Sequence, residues 1–207
     1  MPGAMLGILG GGQLGRMFTM AAQRMGYRVT VLDPDEHSPA SNIAERHVRA
    51  DYLDSAALRE LGSSCAAFTT EFENVPADSL KTLAEYGVVS PAASSVAIAQ
   101  DRILEKQFLA DSGFEVVPYA VIQDEKGSWN VKSMFPGARS ESSSALLPGI
   151  LKISRLGYDG KGQQRVSSQP ELDEAWAAMD REPCVLEQRV ALSSEVSVVV
   201  ARGFDGE

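Results

Sequence analysis

Two glycine-rich loops carry the residue types that bind anions. The first, at 10–16, reads GGGQLGR and contains the pattern G-x-G-x-x-G. The second, at 155–163, reads RLGYDGKGQ and places Arg155 and Lys161 among three glycines. Backbone amides in such loops approach phosphate closely, because glycine has no side chain and tolerates unusual backbone angles. Both loops are therefore candidate phosphate sites.

The first loop follows an apolar strand and precedes a helix, which is the context of the dinucleotide-binding fingerprint. Gly10, Gly12 and Gly15 fill its positions, and Asp33 ends the next strand, where a ribose-binding carboxylate stands in nicotinamide enzymes. A tight turn in any α/β sheet explains the same glycines, and Pro34 alters the ribose-binding position. The loop alone leaves both interpretations open.

The segment TTEFENVP, at 69–76, ends another predicted strand of the same sheet. Ligands collect at the carboxyl ends of parallel strands, so Glu71 and Glu73 are expected at the edge that carries the first loop. On an extended chain these two carboxylates face the same side. The alternative is that one or both cap the helix that Pro76 begins.

Charged residues flank the second loop, which is not a Walker loop because it lacks the G-x-x-x-x-G-K-[ST] pattern. Upstream, Lys152 interrupts an apolar strand, and a buried ammonium is costly unless it is paired. Lys152 therefore either points to solvent or meets an anion. Downstream, Glu187 ends one apolar strand and Glu195 begins another, and each is an ordinary surface carboxylate if it is taken singly.

The elements that position these residues change in character along the chain. Strands alternate with helices in the first part, which predicts a parallel sheet. Its first helix, 13–25, has apolar residues at helical spacing: Leu14, Met17, Phe18, Ala21 and Met25. From about Ser94 a long amphipathic helix is predicted up to Gly113, followed by a strand at 149–154, a helix from Pro170 to about Met179 and strand-like runs CVLEQRV and EVSVVVAR. We place a domain boundary between 93 and 94.

Composition excludes several classes of protein. A chain of 207 residues with 44% hydrophobic content can form one large domain or two small ones. Its net charge of -9 argues against nucleic-acid or anionic-membrane binding. The short N-terminal apolar run predicts neither a signal peptide nor a spanning helix, so a cytoplasmic location is expected. Cys65 and Cys184 lack a CxxC partner and are predicted to be buried, reduced thiols.

The order of motifs resembles that of the ATP-grasp fold, with a lysine on a strand, a glycine loop, a helix and two later carboxylates. Within that superfamily, GILGGGQLGRM, TTEFENVP, QDRILEK, LGYDGKGQ and EVSVVVARG are similar to the signatures of the PurK-type 5-(carboxyamino)imidazole ribonucleotide synthases. The resemblance implies an α/β chain with a Rossmann-like pre-ATP-grasp domain over 1–93. An incomplete ATP-grasp domain would follow over 94–207, including the small ATP-binding subdomain. The hairpin signal Asp205-Gly206 just before Glu207 is read as a sign that the chain is part of a longer protein.

The resemblance also implies an activity. Members of this family carboxylate aminoimidazole ribonucleotide with bicarbonate and ATP through carboxyphosphate, in purine (IMP) biosynthesis, and release ADP and phosphate. We expect a cytoplasmic homodimer, Mg²⁺ ligands beyond residue 207, and no activity from residues 1–207 alone.

The resemblance assigns residues to each substrate. The expected catalytic residues are Lys152, Tyr158 and Asp159. Ribonucleotide-binding residues would be Gln13, Leu14, Glu73, Tyr158 and Asp159. ATP-binding residues would be Arg102, Lys152, Gly157, Tyr158, Asp159, Gly160, Lys161, Gly162, Gln163, Glu187, Gln188, Arg189, Val190 and Glu195, with 187–190 on the adenine and Glu195 on the ribose.

Three alternatives stay open from the sequence. Another ATP-grasp carboxylase or ligase, such as a relative of glycinamide ribonucleotide transformylase or biotin carboxylase, would share the ATP residues. A nicotinamide-dependent dehydrogenase would use the first loop and Asp33, but it leaves Lys152, the second loop and Glu195 unexplained. A catalytically silent binding or assembly module is the third.

Overall fold

The structure is a computed structural model that describes residues 1–123, 146–157 and 161–203, together with the backbone of a short strand at 132–133. Its elements in chain order are β1 (Met5–Leu9), α1 (Gln13–Arg24), β2 (Arg28–Leu32), β3 (Arg46–Val48), α2 (Ser55–Ser64), β4 (Ala67–Thr70), α3 (Ala77–Leu83), β5 (Val88–Val89), α4 (Ala93–Ala99), α5 (Arg102–Asp111), β6 (Tyr119–Ile122), β7 (Lys132–Ser133), β8 (Gly149–Ile153), β9 (Gln163–Val166), α6 (Gln169–Ala178) and β10 (Cys184–Gln188).

The first sheet is parallel throughout and has the strand order β3-β2-β1-β4-β5. The order reverses between β1 and β4, which pair from Leu6 opposite Ala67 to Leu9 opposite Thr70. At such a reversal the connections leave on opposite sides and open a crevice at the carboxyl ends of the two strands. The predicted Rossmann-like sheet is confirmed, and the first glycine loop and Glu71 both follow strands that border this crevice.

Both faces of this sheet are buried beneath helices, and neighbouring residues of each strand point to opposite faces. Leu9 and Leu32 belong to a core that includes residues of α2, α3 and α4, whereas Ile8 and Val31 belong to a core on the other face with Ala22 of α1. The helices therefore cover the sheet from both sides, and only its strand ends remain available for ligands.

Helix α1 buries a different face from the one that its apolar spacing indicates. Its buried residues are Gly15, Thr19 and Ala22, while Leu14 and Met17 are 59% and 65% exposed. A side chain at Gly15 would place its Cβ 2.6 Å from the Gly10 carbonyl oxygen. Glycine is thus required where the start of α1 approaches the Gly10 carbonyl, because that approach leaves no room for a side chain.

The predicted single helix before Gly113 is wrong, because two helices, α4 and α5, meet at a break. Asp101 caps α5 by accepting a hydrogen bond from the Ile103 amide at 2.9 Å. The Gln100 side chain turns inward and is 7% exposed. Gly113 ends α5 as expected, with a φ of +82° that favours glycine.

The second sheet has the order β7-β6-β10-β8-β9 and contains antiparallel pairs. Helix α6 begins as predicted, with Ser168 as its N-cap, and Trp176 on this helix is fully buried. Strand β9 was not expected from the sequence because its residues QQRV are polar and mostly exposed, as befits an edge strand.

The strand predicted for EVSVVVAR is absent from the described part of the chain, where 191–203 carries no regular element. Val196 is 87% exposed and Val199 is 97% exposed. A strand forms only when its backbone groups pair with a neighbouring strand, and the described residues offer no such partner to this segment.

The chain separates into two compact units. One comprises Met1–Val116 with Ile153–Asp159, and the other comprises Val117–Lys152 with Gly160–Glu207. The domain boundary between 93 and 94 stays a prediction. Within the described ranges, no helix combines the length and the apolar content that crossing a bilayer requires.

Candidate active site

The amides of the first glycine loop are occupied by carboxylates of the chain itself. The Gly11 amide donates to Asp33 Oδ2 at 2.7 Å. The Gly12 amide donates to Glu71, and the Leu14 amide donates to the same carboxylate at 3.3 Å. A carboxylate at a helix N-terminus satisfies the free N–H groups there and is favoured by the helix dipole. These three amides therefore bind carboxylates of the chain itself in this structure, and the role of Gln13 and Leu14 in ribonucleotide binding stays a prediction.

Asp33 is a structural residue. Besides the Gly11 amide, its carboxylate accepts hydrogen bonds from the Asp35 amide at 2.8 Å and from the Tyr52 hydroxyl at 2.8 Å. The Asp33 side chain is buried. Partial burial of the Tyr52 hydroxyl, together with its hydrogen bond to Asp33, raises the pKa of Tyr52 above its ordinary value. A carboxylate with three internal donors is not free to bind a ribose diol, and a pyrophosphate at this loop would meet two negative charges. This geometry argues against the nicotinamide interpretation.

Glu71 and Glu73 do not lie on an extended strand, because β4 ends at Thr70 and a turn follows. Helix α3 receives no side-chain cap, so neither carboxylate caps it. Glu71 instead binds the N-terminus of α1, while Glu73 contacts the Asn74 amide at 3.4 Å. Both still line one cavity of about 390 Å³, together with Thr70, Phe72, Pro91, Ser95, Val96 and Ala99. Gln13 and Leu14, at the start of α1, are exposed.

The base of the second glycine loop is held by Arg102, the first residue of α5. Its guanidinium donates from Nη1 to the Ile153 carbonyl at 2.7 Å and from Nη2 to the Gly157 carbonyl at 2.8 Å. Arg102 and Gly157 line a cavity of about 370 Å³ that also includes Glu73 and Glu105. Arg102 thus fixes the base of the second glycine loop, and its guanidinium has further N–H groups with which it could bind phosphate. Tyr158, Asp159 and Gly160 lie outside the described residues.

In the second unit, Lys152 on β8 and Glu187 on β10 form an ion pair with 2.5 Å between Nζ and Oε2. The side chains are 25% and 10% exposed. Of the two possibilities left by the sequence, Lys152 therefore meets an anion, and that anion is Glu187. Removing either partner would leave a charge in a poorly hydrated place.

Several other residues that were predicted to bind ATP lie close together in the second unit. Arg189, Val190 and Glu195 line a cavity of about 630 Å³ with Ile150 and Arg165. The Gln188 and Arg189 amides donate to the Pro118 and Pro148 carbonyls at 2.8 and 3.0 Å, so the end of β10 is fixed on both sides. Lys161 and Gly162 lead into β9, which begins at Gln163, and Gly162 has a φ of +69°.

The described residues contain no group of three His, Cys, Asp or Glu side chains that could hold a metal ion. Both thiols are free and buried, as predicted. Burial raises the pKa of Cys184 to about 12, and it also raises the pKa of Cys65.

Two family models match successive parts of the chain. Residues 4–100 match the ribonucleotide synthetase preATP-grasp domain, and residues 107–207 match the ATP-grasp domain. The N5-carboxyaminoimidazole ribonucleotide synthase of Brucella melitensis is 44% identical over 207 residues, which are 99% of this chain and 54% of the relative. The chain belongs to the N5-carboxyaminoimidazole ribonucleotide synthase family. It spans about half the length of the curated relatives it matches.

Solved structures of N5-carboxyaminoimidazole ribonucleotide synthases agree with the fold. An ADP complex of purK superposes with a TM-score of 0.86 at 35% identity and covers 100% of this chain and 52% of its own. The Aspergillus clavatus enzyme, in complex with ADP and 5-aminoimidazole ribonucleotide, has a TM-score of 0.76 at 27% identity, over 93% of this chain and 48% of its own. The predicted fold class, a pre-ATP-grasp domain followed by part of an ATP-grasp domain, is confirmed.

The sequence analysis assigned no role to Gln100, Asp101 or Tyr52, although the first two belong to the motif QDRILEK. The first two are polar residues in the middle of an apolar helical pattern, and that interruption is the signal that marks a helix break. Tyr52 carries no comparable signal, because its contact with Asp33 depends on the path of the loop after β3.

Proposed function

We propose that the protein containing this chain is an ATP-dependent N5-carboxyaminoimidazole ribonucleotide synthase. In the proposed reaction, bicarbonate attacks the γ-phosphoryl group of ATP to give carboxyphosphate and ADP. Carboxyphosphate then delivers its carboxyl group to the exocyclic amine of aminoimidazole ribonucleotide and releases phosphate. The 44% identity to the Brucella enzyme over this chain is the observation that carries the proposal.

The geometry of the first unit supports this function over a nicotinamide-dependent one. Asp33 and Glu71 fill the amide positions that a dinucleotide pyrophosphate would need. A neutral or cationic group suits the carboxylates of the nearby cavity better than a polyphosphate does, and the imidazole amine of the ribonucleotide is such a group. We propose Glu73, with Gln13 and Leu14, as part of the ribonucleotide site.

ATP is proposed to bind through the second loop and the second sheet. Phosphoryl transfer depends mainly on positioning and charge neutralisation. Lys152 brings a positive charge that Glu187 orients, and Arg102 holds the loop base. Val190 and Glu195 line a cavity next to the end of β10, consistent with the proposed adenine and ribose contacts. Tyr158 and Asp159 are proposed to meet the imidazole substrate, with Lys152 as the third catalytic residue.

Magnesium is part of the proposal only as a requirement for ATP. The described carboxylates do not form a ligand set for it, and we propose that its ligands lie beyond residue 207. We also propose that the whole protein is a cytoplasmic homodimer and that residues 1–207 alone are inactive.

The test is a turnover assay on the full-length protein, with ADP release measured in the presence and absence of each substrate. We expect release only when both aminoimidazole ribonucleotide and bicarbonate are present, and we expect the Lys152→Met variant to lose it. ADP release that depends on glycinamide ribonucleotide or biotin instead would favour another ATP-grasp enzyme. Saturable NADH binding in a fluorescence titration would revive the dehydrogenase alternative.

A further inference from the structure

The break between α4 and α5 places the buried Gln100 side chain and the partly buried Asp101 side chain next to two segments of the first unit that carry proposed site residues. The first segment is the Glu73 loop, defined here as 71–75. The second is the loop base, defined as 153–157, which leads into the second glycine loop. Gln100 contacts both of them, although it belongs to neither.

Gln100 uses all of its amide atoms. Its Nε2 donates to the Glu73 carbonyl at 2.5 Å and also to the Val75 carbonyl. Its Oε1 accepts a hydrogen bond from Arg155 Nη2 at 3.2 Å. The orientation of this amide is fixed, because the flipped form would turn its oxygen toward two carbonyl oxygens.

Asp101 strengthens the same connection from the next position. Its Oδ1 accepts from the Ser154 hydroxyl at 2.8 Å, and its Oδ2 lies 3.8 Å from Arg155 Nη1. The Arg102 amide donates to the Ser154 carbonyl at 2.9 Å. Three consecutive residues thus hold the loop base, and the first of them also holds the Glu73 loop.

We propose that Gln100 is a positioning residue that couples the Glu73 loop to the loop base. It fixes the distance between the segment proposed to bind the ribonucleotide and the root of the loop proposed to cover the ATP phosphates. What the two segments bind rests on the proposed function, whereas their mechanical coupling does not. A carboxyl transfer between two substrates requires their sites to keep a fixed relative position.

The coupling is tested by hydrogen–deuterium exchange on the full-length protein without ligands. Arg155→Met removes one arm of the connection at a side chain that is 55% exposed. We expect it to speed exchange in the Glu73 loop about fivefold, the equivalent of one hydrogen bond, although Arg155 does not touch that loop in the described contacts. Gln100→Leu should speed exchange in both segments, and the double variant should add nothing in the Glu73 loop.

The matched control is Gln107→Leu, because the Gln107 amide bonds to Asp111 within α5. It should leave both segments unchanged. If exchange in the Glu73 loop does not respond to Arg155→Met, or if the two substitutions act additively, the coupling is refuted. The Arg155→Met result decides alone if Gln100→Leu does not fold.

A kinetic measurement separates positioning from simple stability. In Gln100→Leu we expect kcat to fall about tenfold while the KM values for ATP and ribonucleotide change less than about twofold. A rise in either KM with kcat unchanged would overturn the positioning role. If the wild-type protein shows no ribonucleotide-dependent turnover, the proposed function fails, and hydrogen exchange still decides the coupling.

Discussion

Lys152 Nζ lies 2.5 Å from Glu187 Oε2, across two neighbouring strands of the second sheet. Lys152→Met should therefore destabilise the fold by about 3 kcal/mol, because it removes the ammonium group that balances the charge of the buried Glu187 carboxylate. Lys152→Met combined with Glu187→Leu should regain most of that stability, since neither charge remains. Urea denaturation measures both effects.

The same two variants separate stability from function. ATP affinity, measured by titration of the full-length protein, should stay low in the double variant although its stability recovers. Recovery of ATP binding together with stability would show that the lysine acts only through folding.

Glu71 stabilises the start of α1 from a distant part of the sequence. Glu71→Ala should lower the free energy of unfolding by about 2 kcal/mol, because charge-assisted hydrogen bonds to two amides are lost. Glu73→Ala is the matched control. Among the contacts of the described residues, its carboxylate makes one long contact with its neighbour Asn74, so the expected change is below about 0.5 kcal/mol. Equal effects of the two substitutions would contradict this assignment.

Tyr52 anchors Asp33 through its hydroxyl. Tyr52→Phe should cost about 1 kcal/mol, since it removes one hydrogen bond from a buried carboxylate and leaves the ring in place. Tyr27→Phe is a suitable control, because the described contacts give its hydroxyl no hydrogen bond. Thermal unfolding of both variants gives the comparison, and a Tyr52→Phe midpoint equal to that of wild type would be inconsistent with the anchoring role.

The Cys184 thiol makes the free energy of unfolding depend on pH in the alkaline range. Burial, with a smaller contribution from Glu182, raises the pKa of its thiol from 9.0 to about 12. Between these values the unfolded chain has lost a proton that the folded chain retains, so the free energy of unfolding falls as the pH rises. We expect this thiol to account for a loss of about 1 kcal/mol between pH 9 and pH 10.

Chemical denaturation at several pH values tests the thiol effect. Cys184→Ala should show a shallower decline than wild type over the same range, with whatever constant offset the substitution causes. Parallel declines in the two proteins would mean that Cys184 does not titrate as inferred. The buried thiols should also react with a thiol reagent only after unfolding.

The local sequence pattern was sufficient to predict those elements whose formation depends on their own residues. The strand-glycine-helix order around Gly10, the cap at Ser168 and the end of α5 at Gly113 were all predictable, because backbone angles and hydrogen-bonding groups of adjacent residues decide them. The family resemblance rested on such local motifs in their order.

Contacts between segments that are distant in the sequence could not be predicted from it. The apolar spacing of α1 predicted a helix but not that Gly15 and Ala22 face the sheet while Leu14 and Met17 face outward. Likewise, the helix before Gly113 breaks at Asp101, which caps α5, while the side chain of Gln100 bonds to two remote segments. The spacing of apolar residues indicates which residues share a face of a helix, but it does not indicate which part of the fold packs against that face.

The first glycine loop shows most clearly what the sequence determines and what the tertiary structure decides. The sequence by itself determined that a turn from a strand into a helix lies at Gly10, Gly12 and Gly15, because this glycine spacing follows an apolar run and precedes a helical pattern. Of the three, Gly10 has the positive φ that favours glycine, at +97°. Only the tertiary structure decided which anions the turn receives. Asp33 and Glu71 reach Gly11 and Gly12 because the parallel sheet brings the ends of β1, β2 and β4 to one edge. Strand pairing is a property of the whole domain, so the competition between these carboxylates and a phosphate could not be read from the motif.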